Sequence, residues 1–545
     1  MRIGNLLFGT YLFLTVVSPT PILAQQSCEN LIAVQLDHGS VVSARTVEAG
    51  PMKLPPNPLT PRTSVEVPRH CEVKGVARPT SDSEINFELW MLDPGSWNGK
   101  YMQRGNGGWA GSIPVADLIG PLTRGYAVAA TDDGHTGGQM PDAAWAIGHP
   151  EKLIDFGYRA VHETAIHSKV LLRAFYGMNH TQAYFVGCSD GGREALMEAQ
   201  RYPEDFSGIV AGAPANNWTR HFTGFVWNEK ALHDNPEGTL PVTKLPAIQK
   251  AALAACDALD GVKDSLIEDP RECKFDPSVL KCAGEDRADC LTAPQIETLK
   301  KIYSGPVNPK TGEQIYPGYE PGTEADATGW GIWILGPVQA MFGNSFFGQA
   351  VYEDPKWDWN TIDYDRDLKL ADQKTGPILN SYNPDLRSYR ANGGKLIQYH
   401  GWGDAAIAPR DSIAYYEKVR AFMTQYPDPR NKGSNAVDDF YRLFMVPGMG
   451  HCSGGPGPVS FGNMDLNNNQ LPQDAEHDIV TALDKWVTQG VAPERLIGAG
   501  KTGGILRDPS EGTKLTRPLC WYPQVAKYKG SGSTVDAANF VCKAP

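Results

Sequence analysis

The tract Ala183-Tyr184-Phe185-Val186-Gly187-Cys188-Ser189-Asp190-Gly191-Gly192 constrains this chain more than any other. A short apolar run leads into Gly187-Cys188-Ser189-Asp190-Gly191, which matches G-x-S-x-G, and a helical pattern from Arg193 to Arg201 follows ahead of Pro203. Strand, sharp turn and helix in that order are what a nucleophile elbow requires: small neighbours let the turn close, and the turn lifts a serine hydroxyl clear of the sheet. Read without that context, the five residues are a plain glycine turn.

A serine hydroxyl is a weak nucleophile until a base takes its proton, so an acid and a histidine are expected later in the chain, in that order, at strand ends. Leu396 to Tyr399 reads as a strand that ends in His400-Gly401-Trp402-Gly403-Asp404, and Phe444-Met445-Val446 as another that ends in Pro447-Gly448-Met449-Gly450-His451-Cys452. Asp404 is the expected orienting acid and His451 the expected base. Asp411 competes with Asp404 but reads as the N-cap of the following helix. His400 reads as a structural strand residue, and His135 precedes the serine and fits the order badly.

An oxyanion needs backbone N–H groups, one from the residue after the serine and one from an earlier loop. Asp190 supplies the first. Gly105-Asn106-Gly107-Gly108-Trp109-Ala110-Gly111 follows the short strand 100–103 and offers the second through Gly107 or Gly108. The same loop, as Gly105-x-Gly107-x-x-Ala110 with Asp132 or Asp133 about twenty residues on, also resembles a dinucleotide fingerprint. Pro114, Gly120 and Pro121 argue against the pyrophosphate-capping helix that this reading needs.

The chain has 545 residues and a net charge of -12, enough for a sizeable core and unsuited to a nucleic-acid partner. Arg2, an apolar run from Leu6 to Val17, then Ser18, Pro19 and Pro21 before Ala24 predict a secretory signal over residues 1–24. The run is shorter than the roughly 20 residues a membrane span needs. The mature chain is expected to be secreted or periplasmic, without a membrane anchor. All ten cysteines follow the expected cut, and an even count outside the cytoplasm favours disulfides over zinc, since no pair has CxxC spacing.

Strand-like runs at 85–92, 126–131, 183–186, 209–211 and 396–399 alternate with helical patterns such as 158–176, which predicts a mostly parallel sheet covered on both faces. The alternation stops near Asn216, where the text turns rich in Trp, Gly, Pro and Cys, and resumes at Lys395 with 411–426, 440–445 and 475–489. The expected organisation is an α/β domain in two parts, 25–215 and 386–545, interrupted by an inserted lid over 216–385. If Ser189 and His451 meet, their neighbours Cys188 and Cys452 are close enough for a disulfide that ties the elbow to the base's loop. Cys188 as the nucleophile is the competing reading, but an oxidising compartment would consume a free thiol.

Gly187-Cys188-Ser189-Asp190-Gly191-Gly192, Asp404 and Gly450-His451-Cys452 together resemble the tannase and feruloyl esterase family, which includes hydrolases of mono(2-hydroxyethyl) terephthalate. The resemblance implies an α/β-hydrolase fold with a large lid and a cysteine-flanked triad. For Cys256-Asp257-Ala258-Leu259-Asp260-Gly261-Val262-Lys263-Asp264-Ser265-Leu266 it implies a structural calcium held by the side chains of Asp257, Asp260 and Asp264 and the carbonyls of Val262 and Leu266. The residues alone read as a solvated acidic loop, since an EF-hand would place a glutamate twelfth. Cys256 with Cys273, Cys282 with Cys290, Cys520 with Cys542 and Cys28 with Cys71 complete the pairing that the resemblance and sequence proximity imply. No organic cofactor is implied.

The expected function is a serine carboxylic-ester hydrolase acting on esters of aromatic acids, feruloyl or galloyl, with lid aromatics such as Trp330, Trp333, Phe342, Phe346 and Phe347 as candidate contacts. A non-catalytic binding protein on the same scaffold and a serine exopeptidase are the alternatives. Asn179-His180-Thr181 and Asn217-Trp218-Thr219 are glycosylation sequons if the host is a eukaryote.

Overall fold

The computed structural model describes residues 25–54, 64–137, 141–427, 437–463, 471–500 and 515–545. The expected signal segment 1–24 lies outside them. The strands of the main sheet are β1 (Gly39–Val47), β2 (His70–Ala77), β3 (Ile85–Leu92), β4 (Lys100–Arg104), β5 (Ala127–Thr131), β6 (Gln182–Cys188), β7 (Gly208–Gly212), β8 (Lys395–Gly401) and β9 (Tyr441–Val446). They form one nine-stranded sheet in the order β1-β2-β3-β5-β4-β6-β7-β8-β9.

From β5 to β9 every neighbouring pair is parallel, whereas β1, β2 and β3 pair antiparallel with one another and β3 with β5. Five of the eight pairings are therefore parallel, so the sheet is mostly parallel as expected, with an antiparallel portion at one edge. Its edge strand carries no usable signal: Gly39–Val47 is half exposed and broken by a register shift at Val41/Ser43.

The parallel strands are buried on both sides, and their residues divide by alternation. Phe185, Ile209 and Leu396 face a core that includes Leu171, Leu196 and Tyr415. Val186, Val210 and Ile397 face a second core built on Ile479, Leu483 and Trp486. The helices used below are α1 (Ala160–Tyr176), α2 (Asp190–Arg201), α3 (Trp218–His233), α4 (Pro409–Gln425) and α5 (Ile479–Gln489). Residues of α1, α2 and α4 pack in the first core and those of α5 in the second, so both faces are covered.

Between Gly212 and Lys395 no strand joins the main sheet. This stretch is helical instead, with α3, Leu245–Cys256, Ala293–Ser304 and Val338–Asn344 among its elements. Its aromatic side chains share a core with Trp109 and Phe156 from the sheet domain, which seats the segment over the ends of β4 and β6.

Five disulfides join Cys28–Cys71, Cys188–Cys452, Cys256–Cys273, Cys282–Cys290 and Cys520–Cys542, leaving no cysteine free. Among the described residues no helix is long and apolar enough to cross a membrane. Of the two sequons, Asn179 is exposed, but Asn217 is buried and its amide donates to Asp411 at 3.3 Å.

Candidate active site

Ser189 sits between β6 and α2 with φ 65° and ψ −120°, a left-handed conformation that costs a non-glycine residue about 1–3 kcal/mol. Backbone hydrogen bonds hold it there. Its N–H donates to Gly212 O at 3.0 Å, and its carbonyl accepts from Gly192, Arg193 and Ala215, each at 3.1 Å. The glycines are steric necessities: a Cβ on Gly187 would stand 2.4 Å from Gly191 O, and one on Gly192 only 2.2 Å from Gly212 O.

The loops after β8 and β9 bring the acid and the histidine to this serine. Trp402 N–H donates to Val446 O at 2.9 Å and Gly403 N–H to Met449 O at 2.8 Å, so the two loops are stitched together. His451 Nε2 lies 2.9 Å from Ser189 Oγ, and His451 Nδ1 lies 2.8 Å from Asp404 Oδ2. Asp404 Oδ1 accepts the N–H groups of Ala406 and Ile407, both at 2.8 Å. Burial alone would raise its carboxyl; the His451 imidazole and hydrogen bonds from His400 and His451 outweigh that and hold it well below the ordinary carboxylate range.

His400 also reaches Asp404 Oδ2, at 3.2 Å, and its Nδ1 meets Ser412 Oγ at 2.7 Å, so it braces the acid. Asp411 is not the N-cap that its position suggested. Ala408 occupies the cap, and Pro409 begins α4. The Asp411 carboxyl is instead buried against Asn217 and Tyr382, and burial pushes it up to about 7. His135 stacks on Trp145 with centroids 3.8 Å apart, away from the triad.

The loop after β4 is bolted to the elbow. Gly191 N–H donates to Asn106 O at 2.8 Å, Asn106 N–H to Glu194 Oε2 at 3.1 Å, and the Asn106 side chain to Thr131 O and Asp133 Oδ2. The Asp190 side chain turns inward to Arg193, whose Nε donates to Oδ1 at 2.5 Å. The N–H groups of Asp190 and Gly108 meet no acceptor among the described residues, and both residues line the same pocket as Ser189. Gly107 lies one step back in the turn, its carbonyl accepting from Ala110 N–H at 3.0 Å. The dinucleotide alternative finds no support here: this loop packs on the elbow, and the next helix starts only at Ala116.

The pocket is walled by Trp218, Phe222, Phe225, Trp333 and Phe342. Trp333 meets His451 edge-on at 5.3 Å between centroids. Of the other candidate contacts, Trp330 is buried with Tyr303 and Tyr319, and Phe346 and Phe347 are core residues behind Phe222. A further pocket residue, His221, escaped the sequence reading. It stands inside the aromatic stripe Trp218, Phe222, Phe225 of α3, and a histidine in such a stripe is its sequence signal.

The acidic loop closed by Cys256–Cys273 makes its own internal hydrogen bonds. Asp257 Oδ1 accepts from Asp264 and Ser265 N–H at 3.1 Å, Asp260 Oδ1 from Val262 N–H at 3.0 Å, and Asp264 Oδ1 from Leu266 N–H at 3.2 Å. Asp264 also pairs with Arg517. The loop is not among the clusters whose ligand atoms all lie within 4.8 Å of one another. Asp260 Oδ2 is nevertheless buried with no partner, and burial, with Asp264 and Asp257 nearby, pushes that carboxyl up to about 6. An all-oxygen donor set with an orphaned buried oxygen fits a hard cation. Of the two clusters that do gather, Cys282, Asp286 and Cys290 include a disulfide, and Asp133, Asp190 and Glu194 are fully buried under the elbow.

The sequence matches the family profile described as tannase and feruloyl esterase over residues 71–543. It is 41% identical over 540 residues to an uncharacterized esterase of Xanthomonas campestris pv. campestris, covering 96% of this chain and 92% of that one. A mono(2-hydroxyethyl) terephthalate hydrolase of Piscinibacter sakaiensis is 32% identical over 603 residues, covering 96% and 93%. Among solved structures, feruloyl esterase B from Aspergillus oryzae superposes with a TM-score of 0.84 at 28% identity over 95% of this chain and 99% of that one. With the α/β-hydrolase fold and these relatives in hand, the chain belongs to the tannase and feruloyl esterase family of carboxylic ester hydrolases.

Proposed function

We propose that this esterase is an exported serine enzyme that cleaves esters of aromatic acids through an acyl-enzyme. The observation that carries the reading is an aromatic-walled pocket opening directly on Ser189 and His451. With Nδ1–H donated to Asp404, the Nε2 lone pair of His451 faces Ser189 and accepts its proton as Oγ attacks the ester carbonyl. The tetrahedral oxyanion takes the N–H groups of Asp190 and Gly108; one such donor is worth about 10²–10³ in rate. His451 then returns the proton to the departing alcohol. Water repeats the sequence on the acyl-enzyme, releasing the acid.

Five disulfides suit an oxidising compartment, which supports export. A calcium ion would be held by the carboxylates of Asp257, Asp260 and Asp264 with the carbonyls of Val262 and Leu266. Bound, it would supply positive charge that steadies the loop, with no part in the chemistry.

The test compares turnover of methyl ferulate, methyl gallate and a terephthalate monoester, with fluorophosphonate labelling of Ser189. Expected are hydrolysis of at least one ester, labelling of the parent chain, and loss of both in Ser189→Ala. An unlabelled serine, or near-normal turnover in that variant, overturns the assignment.

A further inference from the structure

His221 lines the pocket that holds Ser189 and His451, yet it has no place in the triad. It is only 4% exposed. Among the described residues neither of its ring nitrogens makes a hydrogen bond, and Nδ1 is wholly enclosed. Three other buried histidines differ: His70 meets Pro68 O, His167 meets Asp37 O, and His400 meets Ser412 and Asp404; His135, whose Nδ1 is also orphaned, stacks on Trp145 and does not line this pocket. A buried polar group is normally partnered, and an exception in a binding cleft points to a missing ligand.

The surroundings say what kind of ligand. Phe222 and Phe225 lie 5.0 and 4.4 Å from the His221 ring, centroid to centroid, and Phe342 and Trp333 close the slot. One substituted aromatic ring suits such walls. Apart from the reacting serine and histidine and the elbow's own Asp190, the polar side-chain groups of the lining are the His221 imidazole and the indole N–H groups of Trp218 and Trp333, and Trp218 Nε1 is buried without a partner as well. An indole N–H only donates, whereas an uncharged imidazole also accepts, so a ring group that donates a hydrogen bond finds its acceptor at His221.

Resting on the aromatic-ester reading above, we propose that His221 is a specificity-determining residue whose imidazole hydrogen-bonds a hydroxyl on the ring of the acyl group. A hydroxyl suits it because an uncharged imidazole offers one donor and one acceptor, and a hydroxyl can answer either. Burial pushes the His221 imidazole down to about 3, so this contact is independent of pH through the neutral range. Such a site discriminates by penalty: a ring lacking the hydroxyl leaves the imidazole enclosed and unpaired.

The test measures kcat/KM for methyl cinnamate and for its 3-hydroxy and 4-hydroxy derivatives. In the parent enzyme at least one hydroxylated ester should exceed methyl cinnamate by about tenfold or more. In His221→Phe and His221→Leu that ratio should fall to about one, and His221→Gln, which keeps a donor and an acceptor, should retain part of it. Because each ratio is taken within one protein, a general loss of packing cancels. Equal efficiencies in the parent, or a ratio unchanged in the variants, overturn the inference while leaving the esterase reading intact. So does a preference that follows a hydroxyl on the alcohol, read with 2-hydroxyethyl cinnamate, because it assigns His221 to the leaving group. Hydrolysis of no ester, with Ser189 unlabelled, defeats the esterase reading itself and this inference with it.

Discussion

The Cα atoms of Cys188 and Cys452 stand 5.9 Å apart and their sulfurs are bonded, so the residue before Ser189 and the residue after His451 form one covalent unit. Cys452 itself has φ 60°, an unfavourable conformation for a side chain with a Cβ, and the bridge helps to hold it. The two cysteines are 264 residues apart in sequence, and closing so long a loop contributes about 5 kcal/mol in the chain-entropy account. The second consequence is positional. A misplacement of about 1 Å between reacting groups loses roughly two orders of magnitude in rate. The double variant C188A/C452A is therefore expected to lose ten- to a hundredfold in kcat with a smaller change in KM, and to unfold at lower urea. Steady-state kinetics beside a urea titration check this; a kcat within twofold of the parent would leave the bridge a purely structural tie.

Gly192 separates the elbow from β7. Its Cβ, were there one, would meet Gly212 O at 2.2 Å and Pro214 Cα at 2.8 Å, and neither backbone atom can swing aside as a side chain would. Gly192→Ala should cost about 3 kcal/mol or more and displace Ser189, whose N–H is tied to the same Gly212 carbonyl. Gly284→Ala is the matched control, since nothing lies within 4 Å of its added carbon. Urea midpoints and fluorophosphonate labelling of the two variants should diverge; similar behaviour would mean that the elbow can relax.

Ser189, Asp404 and His451 were legible because each follows an apolar run that ends in glycines, and those glycines mark tight turns whatever surrounds them. Asp411 misled for a physical reason: Pro409 starts α4 one turn early, so the aspartate that looked like a cap sits inside the first turn and is buried. The edge strand Gly39–Val47 was not legible, since half exposure and a register shift blur its alternation. Contacts from the stretch between Gly212 and Lys395 were harder still. Trp330 and Trp333 share one short helix, yet the first packs on Tyr303 and the second on His451. Sequence spacing says that they differ in direction; only the packing of distant segments says which one faces the serine.

The acidic loop makes a prediction independent of turnover. Asp260 Oδ2 is buried without a partner, so a cation there would relieve both the desolvation and the repulsion from its neighbours. Calcium titrated into chelator-treated protein should release heat and raise the thermal midpoint by a few degrees, since ligand at a hundred times its Kd adds about 2.7 kcal/mol. Asp260→Asn should weaken both signals. If neither heat nor a shift in midpoint is seen with the parent protein, the calcium assignment is wrong.

Asp411 gives stability a defined pH dependence. Its carboxyl is pushed up to about 7, chiefly by burial and against the hydrogen bonds from Asn217 and Tyr382, whereas in the unfolded chain it returns to about 3.9. Below about pH 4 both states hold the proton and the group contributes no slope. Between about 4 and 7 the folded chain keeps a proton that the unfolded chain has lost. Stability therefore falls as pH rises, by up to about 1.4 kcal/mol per unit, and levels off above about 7. Asp411→Asn removes that term while nearly keeping the shape. Relative to the parent, the variant should gain stability steadily as pH rises from about 5 to about 7 and hold the gain at about 8. Urea unfolding of both proteins across this range reads the difference directly; a constant offset would mean that Asp411 is already ionised in the folded chain at about pH 5.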